Sequence, residues 1–166
     1  MDDVPDDEAV EITRRTQYAA PSDEAIRRAI AAVFAGESIQ AYEVSVALVD
    51  DAEIHQVNRR FLEHDYPTDV VTFNLSSDER LLEGEVVLSC QYAAAEAEKY
   101  GWAAEHEALL YVIHGALHLV GYDDHEDEDR LKMRRLERDY LERIGLEPPP
   151  SHRQAESSSA PGGSAR

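Results

Sequence analysis

The sequence contains little cysteine and no long apolar run. Cys90 is the single cysteine among 166 residues, which excludes an internal disulfide, and its position in the apolar run VVLSC predicts a buried thiol without a catalytic role. No apolar stretch approaches the roughly 20 residues that cross a bilayer, so a membrane-spanning protein is excluded. The first eight residues, MDDVPDDE, carry acids where a targeting peptide would carry Lys or Arg before an apolar stretch. We therefore expect a cytoplasmic protein.

Basic residues are also scarce. The chain has 16 Lys and Arg against 35 Asp and Glu, a net charge of −19, and it is still −15 without residues 1–8 and 148–166. Such a surface repels polyanions, so binding to nucleic acid or anionic membranes through bulk charge is disfavoured. Any function on nucleic acid must then use a local patch or a metal ion.

The composition indicates one domain between two disordered ends. Residues 1–8 form an acidic N-terminus, and residues 148–166, PPPSHRQAESSSAPGGSAR, are rich in Pro, Ser and Gly with little to bury. We expect both segments to be disordered and assign no role to His152, which lies in the second. Residues 9–147 are long enough to bury a core of their own.

Hydrophobic periodicity predicts alternating strands and helices, followed by helices alone. The elements, in order, are a strand near residue 10, a helix opened by Ser22, a strand at 42–48, a helix after Asp51, strands at 69–75 and 85–89, and helices at 91–100, 105–120 and 127–144. In the last helix the inward positions are Leu131, Leu136, Tyr140 and Ile144. This order predicts an α+β (α/β-like) fold, in which one mixed sheet of about four strands is packed by about five helices.

Two histidines on the buried helix at 105–120 indicate a metal site. His114 and His118 are four residues apart, so their rings project from one helix face and can share an ion. Gly121 then ends the helix and lets the chain turn back. The turn supplies candidates for a third ligand, which would leave one position open to water, as in catalytic sites. These candidates are Asp123, Asp124 and His125.

Two familiar metal motifs do not fit. The zinc-protease motif H-E-x-x-H requires a glutamate where this chain has Gly115. The EF-hand loop requires a glycine and a glutamate at fixed positions, and DDHEDEDRLKMR has neither there. A hydrolase whose metal activates water, or a structural metal, remains.

Three blocks resemble a known family. HGALHLVGYDDH resembles the signature of the YbeY family, which are bacterial metal-dependent endoribonucleases. Upstream, HDYPTDVVTF and GEVV resemble two further blocks of that family, in the family's order. The blocks together cover about residues 42–144, and the resemblance identifies 9–147 as a metal-dependent ribonuclease domain with its metal site at the end of a buried helix.

The resemblance implies an activity, a cofactor and partners. It implies a single-strand-specific endoribonuclease that acts in late rRNA maturation, at the 3′ end of the small-subunit rRNA, and in ribosome quality control. The implied cofactor is one Zn²⁺ per chain or another divalent ion, and the implied partners are single-stranded RNA, the small ribosomal subunit and its associated factors. The rival interpretations are a metal-dependent hydrolase of another substrate and a ribosome-associated binding module with a structural metal.

The chain departs from the family pattern at two places. Leu62 stands where the family has an arginine suited to phosphate contact, and Arg59 and Arg60 are the nearby substitutes. Asp124 stands ten residues after His114, where the family has its third histidine, and the histidine follows as His125. By this register Asp124 is the expected third ligand, with His125 as the alternative.

Two further polar residues lie in the second block. His64 and Asp65 precede the Pro-containing turn of that block and are candidates for assisting proton transfer beside a metal-bound water. Polar residues before such a turn also serve as ordinary turn formers.

Overall fold

The computed structural model describes residues 9–61, 69–150 and 152. That part of the chain contains four strands and five helices. Strands and helices alternate up to the second helix, two strands follow, and three helices complete the order that the sequence predicts. The elements are β1 (Val10–Arg14), α1 (Asp23–Gly36), β2 (Tyr42–Val49), α2 (Asp51–Phe61), β3 (Val70–Asn74), β4 (Leu82–Ser89), α3 (Cys90–Tyr100), α4 (Ala104–Val120) and α5 (Asp127–Arg143).

The strands form one mixed sheet in the order β1-β2-β4-β3. β1, β2 and β4 are parallel, and β3 pairs antiparallel with β4. The predicted mixed sheet is therefore confirmed. β4 begins at Leu82, three residues before the predicted start, because its first residues continue the ladder with β2, where Leu82 pairs with Tyr42.

Alternation along β2 separates two unequal cores. Val44, Val46 and Leu48 face the larger core, which includes buried residues of α1, α3, α4 and α5. Ala47 and Val49 face a smaller core, which they share with residue Ile54 of α2. The two histidines of α4 and the arginines at the end of α2 thus belong to helices on opposite faces of the sheet.

α4 is buried almost all round, as its apolar sequence predicts. Eleven of its 17 residues are buried, and it packs on α1, α3, α5 and the edge pair β3–β4. The histidine pair therefore lies on the central helix of the core.

Across residues 9–61, 69–150 and 152, no helix is both long and apolar enough to span a membrane.

The inward face of α5 agrees with the prediction at three of its four positions. Tyr140 is buried, and Leu136 and Ile144 are partly buried against the larger core, whereas Leu131 is 63% exposed. The prediction was therefore wrong at Leu131. It also did not include three further buried residues, Met133, Glu137 and Leu141.

Candidate metal centre

A glycine brings α4 close to the sheet beside the first histidine. A Cβ at Gly115 would lie 2.9 Å from Cγ1 of Val86 and 3.2 Å from Cγ2 of Thr72, so only glycine fits without displacing its neighbours. α4 thus lies against β3 and β4, while the side chains of His114 and His118 stay 22% and 25% exposed. The two rings lie at the margin of the core, within reach of solvent.

Gly121 ends α4 and directs the chain back towards the histidines. Its φ of 119° is in the region that favours glycine, and its N–H donates to the carbonyl oxygens of Leu117 and His118. The hydroxyl of Tyr122 donates over 2.8 Å to Glu37, the residue that caps the C-terminus of α1. The turn is therefore anchored to a second helix before it reaches Asp124.

Arg130, in the first turn of α5, holds the rest of this turn. Its guanidinium donates to the carbonyl oxygen of His125 over 2.8 Å and to that of Asp124 over 3.4 Å. These contacts fix the backbone at the two candidate third ligands.

Three side chains converge on one point. The Nε2 atoms of His114 and His118 lie 3.0 Å apart. Oδ2 of Asp124 lies 3.5 Å from Nε2 of His114, and its Oδ1 lies 3.7 Å from Nε2 of His118. The three residues thus offer one ligand atom each within the span of a single ion.

His125 lies elsewhere. Its side chain is 81% exposed, and its Nε2 lies 3.3 Å from Oδ1 of Asp123. Asp123, Asp124 and His125 also bring their donor atoms near one another, but on the open side of the turn, where acidic groups are common without an ion. Of the two candidates for the third ligand, Asp124 is the one that the structure brings to both histidines of α4.

Hydrogen bonds on the far side of each ring determine which nitrogen carries the proton. Nδ1 of His118 lies 3.0 Å from the carbonyl oxygen of Tyr122, which can only accept, so Nδ1 donates and Nε2 keeps its lone pair. Nδ1 of His114 lies 2.6 Å from Oε2 of Glu137 and likewise donates to the carboxylate. In the neutral rings both Nε2 lone pairs therefore point into the cluster.

Glu137 stays ionised although only 2% of it is exposed. Burial alone would raise the pKa of this carboxyl, but contacts with His114 and His152 outweigh burial and hold the pKa far below its ordinary value. Burial would lower the pKa of His114, yet Glu137, with Asp69 and Asp124, raises it. The pKa of Asp124 is lowered, chiefly by His118.

This donor set fits a divalent cation. Two nitrogen lone pairs 3.0 Å apart repel each other unless a proton or a metal cation lies between them. Donors about 2.1 Å from a tetrahedral zinc ion are about 3.4 Å from one another, and the three separations here, 3.0, 3.5 and 3.7 Å, bracket that value. A ligating histidine that donates its other N–H to a carboxylate or carbonyl is also the usual arrangement in metal sites.

Two of the remaining predicted site residues are described by the structure, and they lie away from this cluster. Arg59 and Arg60 are exposed in the last turn of α2, on the other face of the sheet. His64, Asp65 and Leu62 lie outside the described residues.

Two residues of the site were missed by the sequence analysis. Glu137 was not singled out, because no local pattern in α5 distinguishes this acid from the exposed ones. His152 was assigned to a disordered tail, but it is 1% exposed and its Nε2 lies 3.1 Å from Oε1 of Glu137, so that assignment was wrong for this residue. Nothing in the surrounding Pro- and Ser-rich sequence signals its burial.

Known proteins match this chain along most of its length. A family model described as "Endoribonuclease YbeY" matches residues 10–145. A protein of that name from Rhodopirellula baltica is 43% identical over 129 residues, which cover 76% of this chain and 66% of the relative. Another from Pseudomonas putida is 35% identical over 140 residues, which cover 82% of this chain and 88% of the relative. The solution structure of TM1509 from Thermotoga maritima, 27% identical, matches with a TM-score of 0.59 over 94% of this chain and 99% of that chain.

Proposed function

Because this chain belongs to the endoribonuclease YbeY family, we propose that it is a metal-dependent endoribonuclease that cleaves single-stranded RNA. The observation that carries the proposal is the convergence of His114, His118 and Asp124, with both imidazole lone pairs directed into the cluster. Such a site is what water-activating hydrolases use.

His114, His118 and Asp124 would hold the ion. Glu137 and the carbonyl of Tyr122 orient the two rings through their Nδ1 protons. A divalent ion bound there would supply Lewis acidity towards water and towards a phosphoryl oxygen.

Charge at the site favours both the ion and the substrate. Asp124 and the buried Glu137 bring two negative charges next to the two imidazoles, which attracts a divalent cation. With that cation bound, the two carboxylate charges are neutralised, so a phosphate is repelled less there than by the acidic surface of this chain of net charge −19. An RNA phosphodiester would therefore be held locally rather than along an extended basic surface.

The finer assignments follow from the family resemblance. We propose Zn²⁺ as the ion, because two imidazoles and a carboxylate are common zinc ligands. We propose late maturation of rRNA, at the 3′ end of the small-subunit rRNA, and ribosome quality control as the process, with the small subunit and its factors as partners and the cytoplasm as the compartment. Arg59 or Arg60 would contact phosphate, and His64 and Asp65 would assist proton transfer.

A binding module with a structural metal is the main rival. Structural zinc sites are usually closed by four protein ligands, whereas catalytic sites keep a position open. Among the described residues three donors converge here, and their side chains are 22%, 25% and 35% exposed. Three partly exposed donors favour a catalytic site.

Digestion of RNA tests the proposed function. Purified protein loaded with zinc or another divalent ion should cleave a single-stranded RNA, leave the matched duplex largely intact and lose activity with a chelator. Readdition of the ion should restore cleavage. A nuclease-free preparation that leaves RNA intact with every divalent ion tried would favour the binding module, and hydrolysis of other esters but not RNA would favour the other hydrolase.

A further inference from the structure

A buried chain of polar groups extends from the candidate metal centre to the end of the described residues. Nδ1 of His114 on α4 lies 2.6 Å from Oε2 of Glu137 on α5, and Oε1 of Glu137 lies 3.1 Å from Nε2 of His152. Glu137 and His152 are 2% and 1% exposed. One carboxylate thus joins a candidate metal ligand to a residue from the segment that follows α5.

The outer oxygen of this carboxylate depends on few partners. Oε2 accepts the N–H of His114, whereas Oε1 is buried and makes no hydrogen bond of standard geometry among the described residues. Its nearest polar neighbours are Nε2 of His152 at 3.1 Å and Nη1 of Arg134 at 3.9 Å. The same Nη1 lies 3.1 Å from Nε2 of His152. A buried carboxylate without such neighbours is strongly destabilised, so removing one of them favours movement of Glu137 towards water.

His152 is held in place by its own segment. Its backbone N–H donates to the carbonyl oxygen of Pro149 over 3.0 Å, and Pro149 is itself buried. The fixed φ of consecutive prolines limits the conformations of this segment. The imidazole is therefore presented to Glu137 by a short docked turn.

We propose that His152 is a positioning residue of the metal centre. Together with Arg134 it keeps Glu137 in the position from which Oε2 orients the ring of His114. The segment after α5 thereby sets the affinity of the centre for its ion. This inference rests on the proposed metal centre, because it takes His114 to be a ligand.

The inference is tested by measuring both the zinc affinity and the urea unfolding midpoint of the full chain and its variants. Mutation of an outer partner of a ligand typically lowers metal affinity 10- to 100-fold, so for His152→Ala, one contact further out, we expect a loss of about tenfold. In His152→Gln an amide N–H can face Oε1, and affinity should stay within about threefold of wild type. The matched control is Leu146→Ala, which removes a partly buried side chain of the same segment and should lower the urea midpoint of the metal-free protein without changing zinc affinity.

Two spectroscopic readouts separate positioning from folding. In the metal-free protein, the Nδ1 proton of His114 should give a resolved NMR signal in wild type and His152→Gln, and a weakened or lost signal in His152→Ala. The visible spectrum of the cobalt-substituted protein should change in His152→Ala only. If His152→Ala does not fold, His152→Gln alone tests the inference. A folded His152→Gln protein whose zinc affinity falls more than threefold below that of wild type would then contradict it.

The outcomes distinguish this inference from the proposed function. Wild type that binds no zinc overturns the metal centre itself. Wild type that binds zinc while His152→Ala binds it equally well overturns the role of His152 alone. Equal losses of affinity in His152→Ala and Leu146→Ala would also overturn it, because they would reflect general loosening of the segment.

Discussion

Two neighbouring residues of the turn after α4 lie in different surroundings. Asp124 is 35% exposed in its side chain and faces both histidines, whereas His125 is 81% exposed and faces Asp123. Imidazole is a common zinc ligand. To bring His125 to the histidines of α4, however, the turn would have to shift by one residue, and that shift would break the hydrogen bond from Arg130 to the carbonyl oxygen of His125. A carboxylate ligand makes the centre one charge more negative than three imidazoles would.

Separate alanine substitutions identify the third ligand. Asp124→Ala should lose zinc affinity and RNA cleavage together, by at least tenfold, whereas His125→Ala should keep both. Zinc titration and initial cleavage rates measure these effects. Losses confined to His125→Ala would reverse the assignment, and losses in neither would place the third ligand elsewhere.

Cys90 is predicted to be chemically inert in the folded protein. Its thiol is fully buried, and burial raises its pKa to about 11. Near pH 8 the thiolate fraction is then of the order of 10⁻³, against about a quarter for a free cysteine, and the buried sulfur is shielded from reagents as well. Ellman's reagent should therefore react with one thiol per chain in urea and with almost none in buffer. Rapid reaction in buffer would contradict this prediction, because it would show that the core around Cys90 opens to the reagent.

At the residue scale the sequence reveals the candidate ligands better than the residues that hold them in position. The histidine pair and the turn are recognisable because helical spacing and Gly121 restrict where these side chains lie. Glu137 and His152 are not recognisable, because each is buried only through contacts with residues distant in sequence. Local patterns carry no information about such contacts.

At the scale of elements, α4 and the edge of the sheet position the centre together. Gly84 and Gly115 allow this helix to lie close to β3 and β4, since a Cβ at Gly84 would come within 2.7 Å of Leu119. The ladder between β3 and β4 ends at the pair Asn74 and Gly84, next to this contact. The side-chain amide of Asn74 also donates to the carbonyl oxygen of Leu119. A shift of α4 away from the sheet would displace both histidines.

Gly115→Ala tests this packing. The new methyl group would meet Val86 at 2.9 Å, so we expect a loss of about 1–3 kcal/mol in the free energy of unfolding, together with weaker zinc binding. Val86→Ala removes the obstructing methyl groups and should relieve part of the loss, so the double variant should be more stable than the sum of the single effects predicts. Urea unfolding of the metal-free proteins measures this. Strict additivity would contradict the close contact.

The elements themselves were largely predictable. Strand alternation, the Ser22 cap and the glycines that end α3 and α4 act within a few residues, so the order of strands and helices follows from local sequence. The burial of Glu137 on α5 was not predictable, because it depends on His114 and His152, which are distant in sequence. The mixed strand order likewise depends on long-range pairing.

At the scale of the whole molecule, negative charge separates this protein from nucleic-acid binders that use basic surfaces. The six basic residues of α5 are matched by six acids, so this helix offers no net positive surface. Contact with RNA is then expected to involve few phosphates, held by the ion and one or two arginines.

The salt dependence of cleavage tests this view. Because the slope of affinity against salt scales with the number of neutralised phosphates, about 0.7 per phosphate for a single strand, RNA cleavage should fall by no more than about 20-fold between 50 and 200 mM salt. Rates at subsaturating RNA, measured at fixed zinc, give this slope. A fall of 10³ or more would show an extended phosphate-binding surface that the charge distribution does not predict.

The zinc content of the purified protein tests the central claim most directly. Wild type should carry about one zinc per chain, and His114→Ala/His118→Ala should carry almost none while staying folded by circular dichroism. His106→Ala, which removes a histidine from the first turn of the same helix, is the control and should keep its zinc. A double variant that retains the wild-type zinc content would contradict the account.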